Sequence, residues 1–193
     1  MTTPGTDEQL LADFLGGRRA ALGELARRYE RPLLGLALGL LGGRRDLACD
    51  AVQETWLRVI RFGQQFSGQS RFKTWLYRIG INQCRNLQSA TGRSAAGDGE
   101  PALAGKPAPD PAPETVAART DQNDAVRHAV AQLAPDRRAI VLLCYHGGLT
   151  HVEAAEILEL PLGTLKSRLH AALEELRGML GATCRTSETE AGP

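Results

Sequence analysis

Leu149 to Leu176 reads LTHVEAAEILELPLGTLKSRLHAALEEL, and its punctuation decides the fold. Thr150-His151-Val152-Glu153 forms a capping box, in which the Thr hydroxyl accepts from the amide at Glu153 while the Glu side chain reaches back to the Thr amide. The short helix it opens carries Val152, Ala155, Ile157 and Leu158, and only Glu159-Leu160-Pro161 separates it from a long helix beginning around Leu162. In that second helix Leu165, Leu169, Leu173 and Leu176 share one face, and Thr164, Ser167, Arg168 and Ala171 share the other. Two helices joined by so tight a turn make a helix-turn-helix candidate. Short polar residues near the helix start would let it enter a major groove, where Arg168 can reach a guanine edge or a phosphate, with Lys166 and His170 flanking on phosphates. A plain helical hairpin uses the same turn, so periodicity alone leaves both readings open.

Working upstream, Val126, Val130 and Leu133 mark a helix that ends before Pro135, and Pro135-Asp136 starts another, stopped by Gly147-Gly148. Before these lies a break. Five of the ten prolines (Pro101, Pro107, Pro109, Pro111, Pro113) fall in residues 88 to 114, together with Gly92, Gly97, Gly99 and Gly105. Such a stretch is expected to be neither helix nor central strand, and with little aliphatic bulk beyond Leu103 it reads as a flexible linker.

The first part of the chain is helical again. Thr6 followed by Gln9 is a capping box for a helix stopping at Gly16-Gly17. A second helix is expected through Leu22, Leu25, Ala26 and Tyr29, a third from Pro32 to Leu41, and a fourth from near Asp46. The fourth carries the apolar stripe Leu47, Ala48, Ala51, Val52, Thr55, Trp56, Val59 and Ile60, and turns Asp50, Gln53, Glu54, Arg58 and Arg61 outward. A polar loop, Gly63 to Gln69, leads to a fifth helix from about Ser70 to Leu87. On it Phe72, Leu76, Ile79, Gln83 and Leu87 cluster on one side, Thr74, Arg78 and Arg85 on the opposite flank, and Trp75 and Asn82 at the border. Cations beside rings and amides suit a single-stranded nucleic acid, whose phosphates they track while rings stack on bases. A core helix with its arginines in water is the alternative, and the one that periodicity alone favours.

Composition narrows the class. The 193 residues carry 23 Lys+Arg against 22 Asp+Glu, a net charge of +1, which excludes a uniformly basic nucleic-acid coat. No apolar run reaches the ~18 residues needed to span a bilayer. Met1 to Leu10 lacks the features of a secretory signal, so a cytoplasmic protein without membrane insertion is expected. Cys49, Cys84, Cys144 and Cys184 form no C-x-x-C, and His128, His146, His151 and His170 are scattered, so no metal site, cofactor or dithiol is expected. Hydrolase motifs such as H-E-x-x-H and G-x-S-x-G are missing from the sequence, which argues against an enzyme. The fold expected is all-α: a helical domain over residues 1–87, a Pro/Gly-rich linker over 88–119, a helix-turn-helix domain over 120–180 and a flexible tail over 181–193.

Three segments in this order resemble the sigma-70 family of bacterial transcription initiation factors, in particular its small two-domain extracytoplasmic-function (ECF) group. Asp50-Ala51-Val52-Gln53-Glu54-Thr55-Trp56-Leu57 is similar to the family's D-L-V-Q-E-[VT]-[FW]-L polymerase-binding helix. Arg71-Phe72-Lys73-Thr74-Trp75-Leu76-Tyr77-Arg78-Ile79, with Asn82, resembles its F-x-T-W-L-x-x-I promoter-melting helix. Leu149 to Ile157, with Leu160-Pro161-Leu162-Gly163-Thr164-Leu165-Lys166-Ser167-Arg168-Leu169, resembles its upstream-element reader. Ala51 stands where Leu is usual, Gly80 where Ala is usual, and His170-Ala171-Ala172-Leu173 lacks a cation that often follows, a loss that should weaken phosphate contacts there.

The resemblance implies a specificity subunit that binds core RNA polymerase through Asp50, Gln53, Glu54 and Arg58. It implies melting of the promoter minus-10 element, with Phe66, Ser67, Gln69 and Ser70 reading a flipped base. Arg71, Lys73, Arg78 and Arg85 would hold phosphates, with Thr74, Trp75 and Asn82 beside them and Trp75 as a wedge at the fork. The minus-35 duplex would be read by Thr164, Lys166, Ser167, Arg168 and His170. An anti-sigma factor is the expected inhibitory partner, and an acidic linker could mimic RNA in the polymerase channels. The rival reading is a stand-alone helix-turn-helix regulator. Split at the linker, the near-neutral total becomes 13 cations against 8 anions in residues 1–87, 2 against 4 in 88–114 and 8 against 10 in 115–193. So small an excess predicts weak, salt-sensitive binding to free DNA.

Overall fold

A computed structural model describes residues 5–95 and 117–189, with side chains over 5–90 and 124–181. All regular structure among the described residues is helical. Helix α1 (Asp7–Leu15) opens on the expected Thr6–Gln9 capping box and ends at Gly16. The next segment corrects the sequence reading: one continuous helix, α2 (Arg19–Leu40), stands where a break before Pro32 was expected. Pro32 lacks the N–H that would bond back to residue 28, but burial of Leu25, Leu33, Leu36 and Ala37 on either side carries the helix through. Helix α3 (Arg45–Phe62) buries Ala48, Ala51, Val52, Thr55 and Val59. A single 3-10 turn, Gly63–Gln65, then leads through a loop to α4 (Phe72–Ala95).

Helix α4 begins two residues later than expected and runs past Leu87 into the stretch expected to lack helix. Two causes are visible. The first proline of that stretch comes only at Pro101. The Gln88 side chain also donates to the carbonyl of Leu40 at 2.7 Å, tying this end of α4 to the end of α2. The remainder of the expected linker, residues 96–116, lies outside the described residues.

After it come α5 (Ala117–Gln132) and α6 (Pro135–Val141), which widens into a π-helical turn over Leu142–His146. Helix α7 (His151–Leu158) opens on the Thr150–Glu153 capping box as expected. Glu159, at φ 57°, makes the left-handed turn into α8 (Leu162–Thr189). The expected flexible tail is helical as far as Thr189.

The four helices α1–α4 form one bundle and α5–α8 a second, and the two are closed on each other. Helix α4 packs on α3 on one side and on α7 on the other, and α2 meets α5, α6 and the π turn. One continuous apolar core therefore runs from Leu10 in α1 to Leu176 in α8. Its centre holds Phe72, Tyr77, Leu133, Ile140, Leu143 and Ile157, each essentially inaccessible. Among the described residues no helix is long and apolar enough to cross a membrane.

Candidate polymerase and nucleic-acid interfaces

On α3, burial of the apolar stripe leaves Asp50 and Gln53 exposed and Glu54 and Arg58 half-buried one turn further on. Glu54 Oε1 lies 3.4 Å from Arg58 Nε. The four residues make one polar strip with acidic groups at the N-terminal end, the surface expected to face a partner protein. Leu57 and Ile60 add exposed apolar area to the same helix.

The start of α4 is organised by aromatic rings. Phe72 is fully buried, edge-on to Tyr29 at 5.8 Å and to Phe66 at 6.2 Å between ring centres. Trp75 is half-buried, 5.4 Å from Phe66 and 5.9 Å from Phe72. In this structure it packs and orders the loop instead of projecting as a free wedge. The Phe72 amide donates to Glu8 Oε1 at 2.9 Å, so α1 caps α4 from across the bundle. Around this point Thr6, Asp7, Glu8, Arg28, Tyr29, Arg71 and Lys73 line an open cleft of about 550 Å³. Within it Tyr29 hydrogen-bonds to Asp7, and burial together with that bond raises the phenol well above its ordinary pKa.

Ser67, Gln69 and Arg71 in the loop are exposed and Ser70 is partly so; Asn82 and Arg85 on α4 are exposed. Phe66 is half-buried among the rings. Thr74 is where the expectation fails. Only 1% of it is exposed, because it shares the flank of Arg71 and Arg78 against which α7 packs, and its hydroxyl has no hydrogen-bond partner. In the closed arrangement it cannot touch a nucleic acid. The cations of this flank are engaged as well. Lys73 Nζ donates to the Gly148 carbonyl at 3.0 Å. Arg78 Nη2 donates to the Glu156 carbonyl at 3.1 Å and its carboxylate at 3.0 Å, and Arg71 lies 3.5 Å from Glu153.

In the second bundle α7 and α8 meet across the Glu159 turn with Leu165, Leu169 and Leu176 buried. That leaves Lys166, Ser167 and His170 exposed, with Thr164 and Arg168 half-exposed beside them. The Ser167 hydroxyl donates to the Thr164 carbonyl at 3.0 Å, and Arg168 lies 3.6 Å from Asp136. The minus-35 candidates thus form one surface patch outside the seam between the bundles, unlike Lys73, Thr74 and Arg78 on α4. Glu153 is the most constrained acid here. Burial opposes its charge, but hydrogen bonds from the Thr150 amide and hydroxyl, with Arg71 and Lys73 nearby, outweigh that and hold its carboxyl below the usual value.

Sequence reasoning missed the contacts that join the bundles: Glu153 and Glu156 on α7, Leu142 and His146 in the π turn, and Arg138. Arg138 donates to the carbonyls of Ala131, Leu133 and Leu40, and burial lowers its pKa. A signal existed in Gly35 and Gly39, whose spacing puts two missing side chains on one face of α2. Among the described residues no group of three or more His, Cys, Asp or Glu is arranged to hold a metal ion.

A four-helix unit with a polar strip on α3 and an aromatic, basic α4, followed by a helix-turn-helix unit, is the arrangement expected of a two-part DNA-reading protein that works with a larger partner. Comparison with known proteins makes that class specific. The sigma-70 region 2 profile matches residues 25–94 and the sigma-70 region 4 profile residues 123–176. The chain is 31% identical to the RNA polymerase sigma-H factor of Pseudomonas aeruginosa over 91% of its own length and 94% of the relative's. It is 30% identical to the ECF RNA polymerase sigma-E factor of Haemophilus influenzae over 91% and 95%. Among solved structures it resembles CnrH in complex with the cytosolic domain of CnrY (TM-score 0.70, 24% identity, 92% of this chain and 99% of that one). It also resembles RpoE of Bartonella quintana in complex with the anti-sigma factor NepR (TM-score 0.66, 24% identity, 82% and 96%). The chain belongs to the sigma-70 family of RNA polymerase sigma factors, in its ECF group. It is a promoter-directing initiation factor that binds core polymerase and DNA; the stand-alone regulator is not favoured, because relatives align along both bundles.

Proposed function

We propose that α3 docks on core RNA polymerase through Asp50, Gln53, Glu54 and Arg58, that the loop and outer flank of α4 take the melted minus-10 strand, and that α8 reads the minus-35 duplex. Opening base steps costs a few kcal/mol, which contacts to the extruded strand must offset. Ser67, Gln69 and Ser70 supply hydrogen bonds to a flipped base, and Phe66 and Trp75 hold the loop in shape. Arg71, Lys73, Arg78 and Arg85 neutralise the strand's phosphates, with Asn82 beside them. Thr164, Ser167 and Arg168 face base edges in the major groove, with Lys166 and His170 on the backbone. Residues 1–87 and 120–180 are the two functional domains, and the 21 residues between α4 and α5, 96–116, are enough to span up to ~70 Å at ~3.3 Å per residue. Tethering turns two weak contacts into one stronger one.

The chain supplies recognition and no reaction of its own, acts in the cytoplasm, and has an anti-sigma partner. The last point rests on the two structural neighbours, each solved with such a protein or with the cytosolic domain of its named partner. The observation that supports the reading is the presence on one chain of an exposed polar strip on α3, a basic and aromatic start to α4, and an exposed polar face on α8. Run-off transcription with purified core polymerase tests it: the chain should confer initiation on a fragment upstream of its target genes. Failure on every cognate fragment would sink it.

A further inference from the structure

The segment from Gly63 to Arg71, whose Ser67, Gln69 and Ser70 face the flipped base in the proposed function, is held at both ends by one helix. At its far end the Phe72 amide, the first of α4, donates to Glu8 Oε1 at 2.9 Å. Arg71 stands at the N-cap, its carbonyl accepting from the Trp75 amide at 3.1 Å, and a guanidinium has no acceptor to offer the helix. Glu8 therefore supplies from α1 the cap that the local sequence lacks, together with a negative charge at the positive end of the α4 dipole. At the near end a β-carbon on Gly63 would lie 3.3 Å from Leu15 Cδ2 and 3.4 Å from Leu11 Cδ1, so the chain leaves α3 pressed against the same helix. Glu8, Leu11 and Leu15 stand at i, i+3 and i+7, one stripe of α1.

The stripe is itself anchored. Asp7, next to Glu8, lies 2.6 Å from Arg28 Nη1 of α2 and accepts a hydrogen bond from Tyr29, and Arg28 also donates to the Gly5 carbonyl at 3.1 Å. From this geometry we infer that α1 braces the base-reading loop and that Glu8 is its positioning residue: without touching DNA, Glu8 keeps the loop in the shape that takes a flipped base. The inference rests on the reading of Ser67, Gln69 and Ser70 as the groups that hold that base. A loop turned through Gly68, at φ 73°, has a glycine's freedom to wander, and freezing it on DNA costs ordering entropy. Anchoring both ends beforehand removes part of that cost. Because Phe72 packs edge-on to Phe66, a shift at the start of α4 is also passed into the loop.

The test uses the full chain bound to core polymerase, with three changes at one position. Glu8→Gln keeps the reach and an acceptor oxygen, Glu8→Asp keeps the charge but is one methylene too short, and Glu8→Ala loses both. Opening is followed by the fluorescence of 2-aminopurine placed in the minus-10 segment of a cognate fragment, and discrimination by the loss of opening when a minus-10 base is changed. Glu8→Gln should stay within about twofold of the wild type, whereas Glu8→Asp and Glu8→Ala should each lose about fivefold in discrimination, the factor that corresponds to a cap of about 1 kcal/mol. With Trp56→Phe leaving Trp75 as the sole tryptophan, emission from the free chain should shift to the red in Glu8→Ala and stay in place in Glu8→Gln. Discrimination unchanged in Glu8→Ala, retained in Glu8→Asp or lost equally in Glu8→Gln overturns the inference. So does slower opening with discrimination intact, which a general loss of stability would produce. Ser67→Ala combined with Gln69→Ala keeps the levels apart. If that pair discriminates as well as the wild type, the loop does not read the base, and the underlying reading falls with the inference. If the pair loses discrimination while Glu8→Ala keeps it, the brace alone falls.

Discussion

Thr150 shows what a single residue can and cannot announce. Its capping role is written in T-x-x-E, and the structure has both reciprocal bonds. The reach of Glu153 to Arg71 in the other bundle is not written, since local spacing says nothing about partners far along the chain. Thr150→Ala should lower stability by about 1 kcal/mol, read from urea unfolding. Because the folded Glu153 carboxyl titrates below its ordinary range, its contribution is complete above the ordinary Glu value near 4.3 and is lost as pH falls through its lowered folded value. Acid unfolding should therefore be gentler in Glu153→Gln, followed by circular dichroism from about pH 5 to 3. Arg168 is legible in the same limited way: the helical face was clear, the neighbouring Asp136 was not. Arg168→Ala should weaken use of the minus-35 element by about 1–3 kcal/mol in promoter-binding assays, while pull-down of core polymerase stays unchanged. Thr74 is the residue that periodicity misplaced. A helical wheel gives its angle correctly, but it cannot tell which flank another domain will cover.

Elements were legible wherever the sequence punctuates them. Capping residues, glycine pairs and Pro135 mark helix ends that the structure keeps, whereas Pro32, expected to start a new helix, lies inside α2. A helix packed along its length can absorb one missing hydrogen bond, and sequence alone does not weigh that packing. The π turn after α6 left no local signal, yet it aims Leu142 and His146 at α2. Within α4 the rings differ in burial, and that gives a measurable contrast. Phe72→Ala should cost about 3–5 kcal/mol of stability, and Trp75→Ala distinctly less while loosening the Phe66 loop. For α3, Asp50→Ala with Glu54→Ala should abolish polymerase pull-down without loss of helicity. Unchanged pull-down would refute that docking face.

At the scale of the whole molecule, the order of the two helical units could be read from the chain, and their embrace could not. Periodicity assigns each helix an inner and an outer side, but α4 has two inner sides, one for each bundle. The surplus of positive charge in the first 87 residues is correspondingly less available than its sum suggests, since Arg71, Lys73 and Arg78 already have partners. Salt dependence should expose this. If three more cations become free to meet phosphates, the plot of log affinity for a single strand against log salt should steepen by about 2 in Gly39→Leu, whose side chain would collide with Leu142 at the seam, relative to the wild-type chain. Equal slopes would mean that those cations were never withheld.

The notch that Gly35 and Gly39 leave in α2 also has a genetic meaning. Missense changes that alter a factor of this kind are usually sought among residues that touch polymerase or DNA, yet here one codon for a packed glycine should suffice. Any bulky residue at Gly39 is such a candidate, because even its β-carbon would fall 2.7 Å from Leu142 Cδ1 across the seam. A screen for altered promoter activity should therefore return small-to-large changes near the C-terminal end of α2, at a site where a missense change would ordinarily be filed as a folding defect.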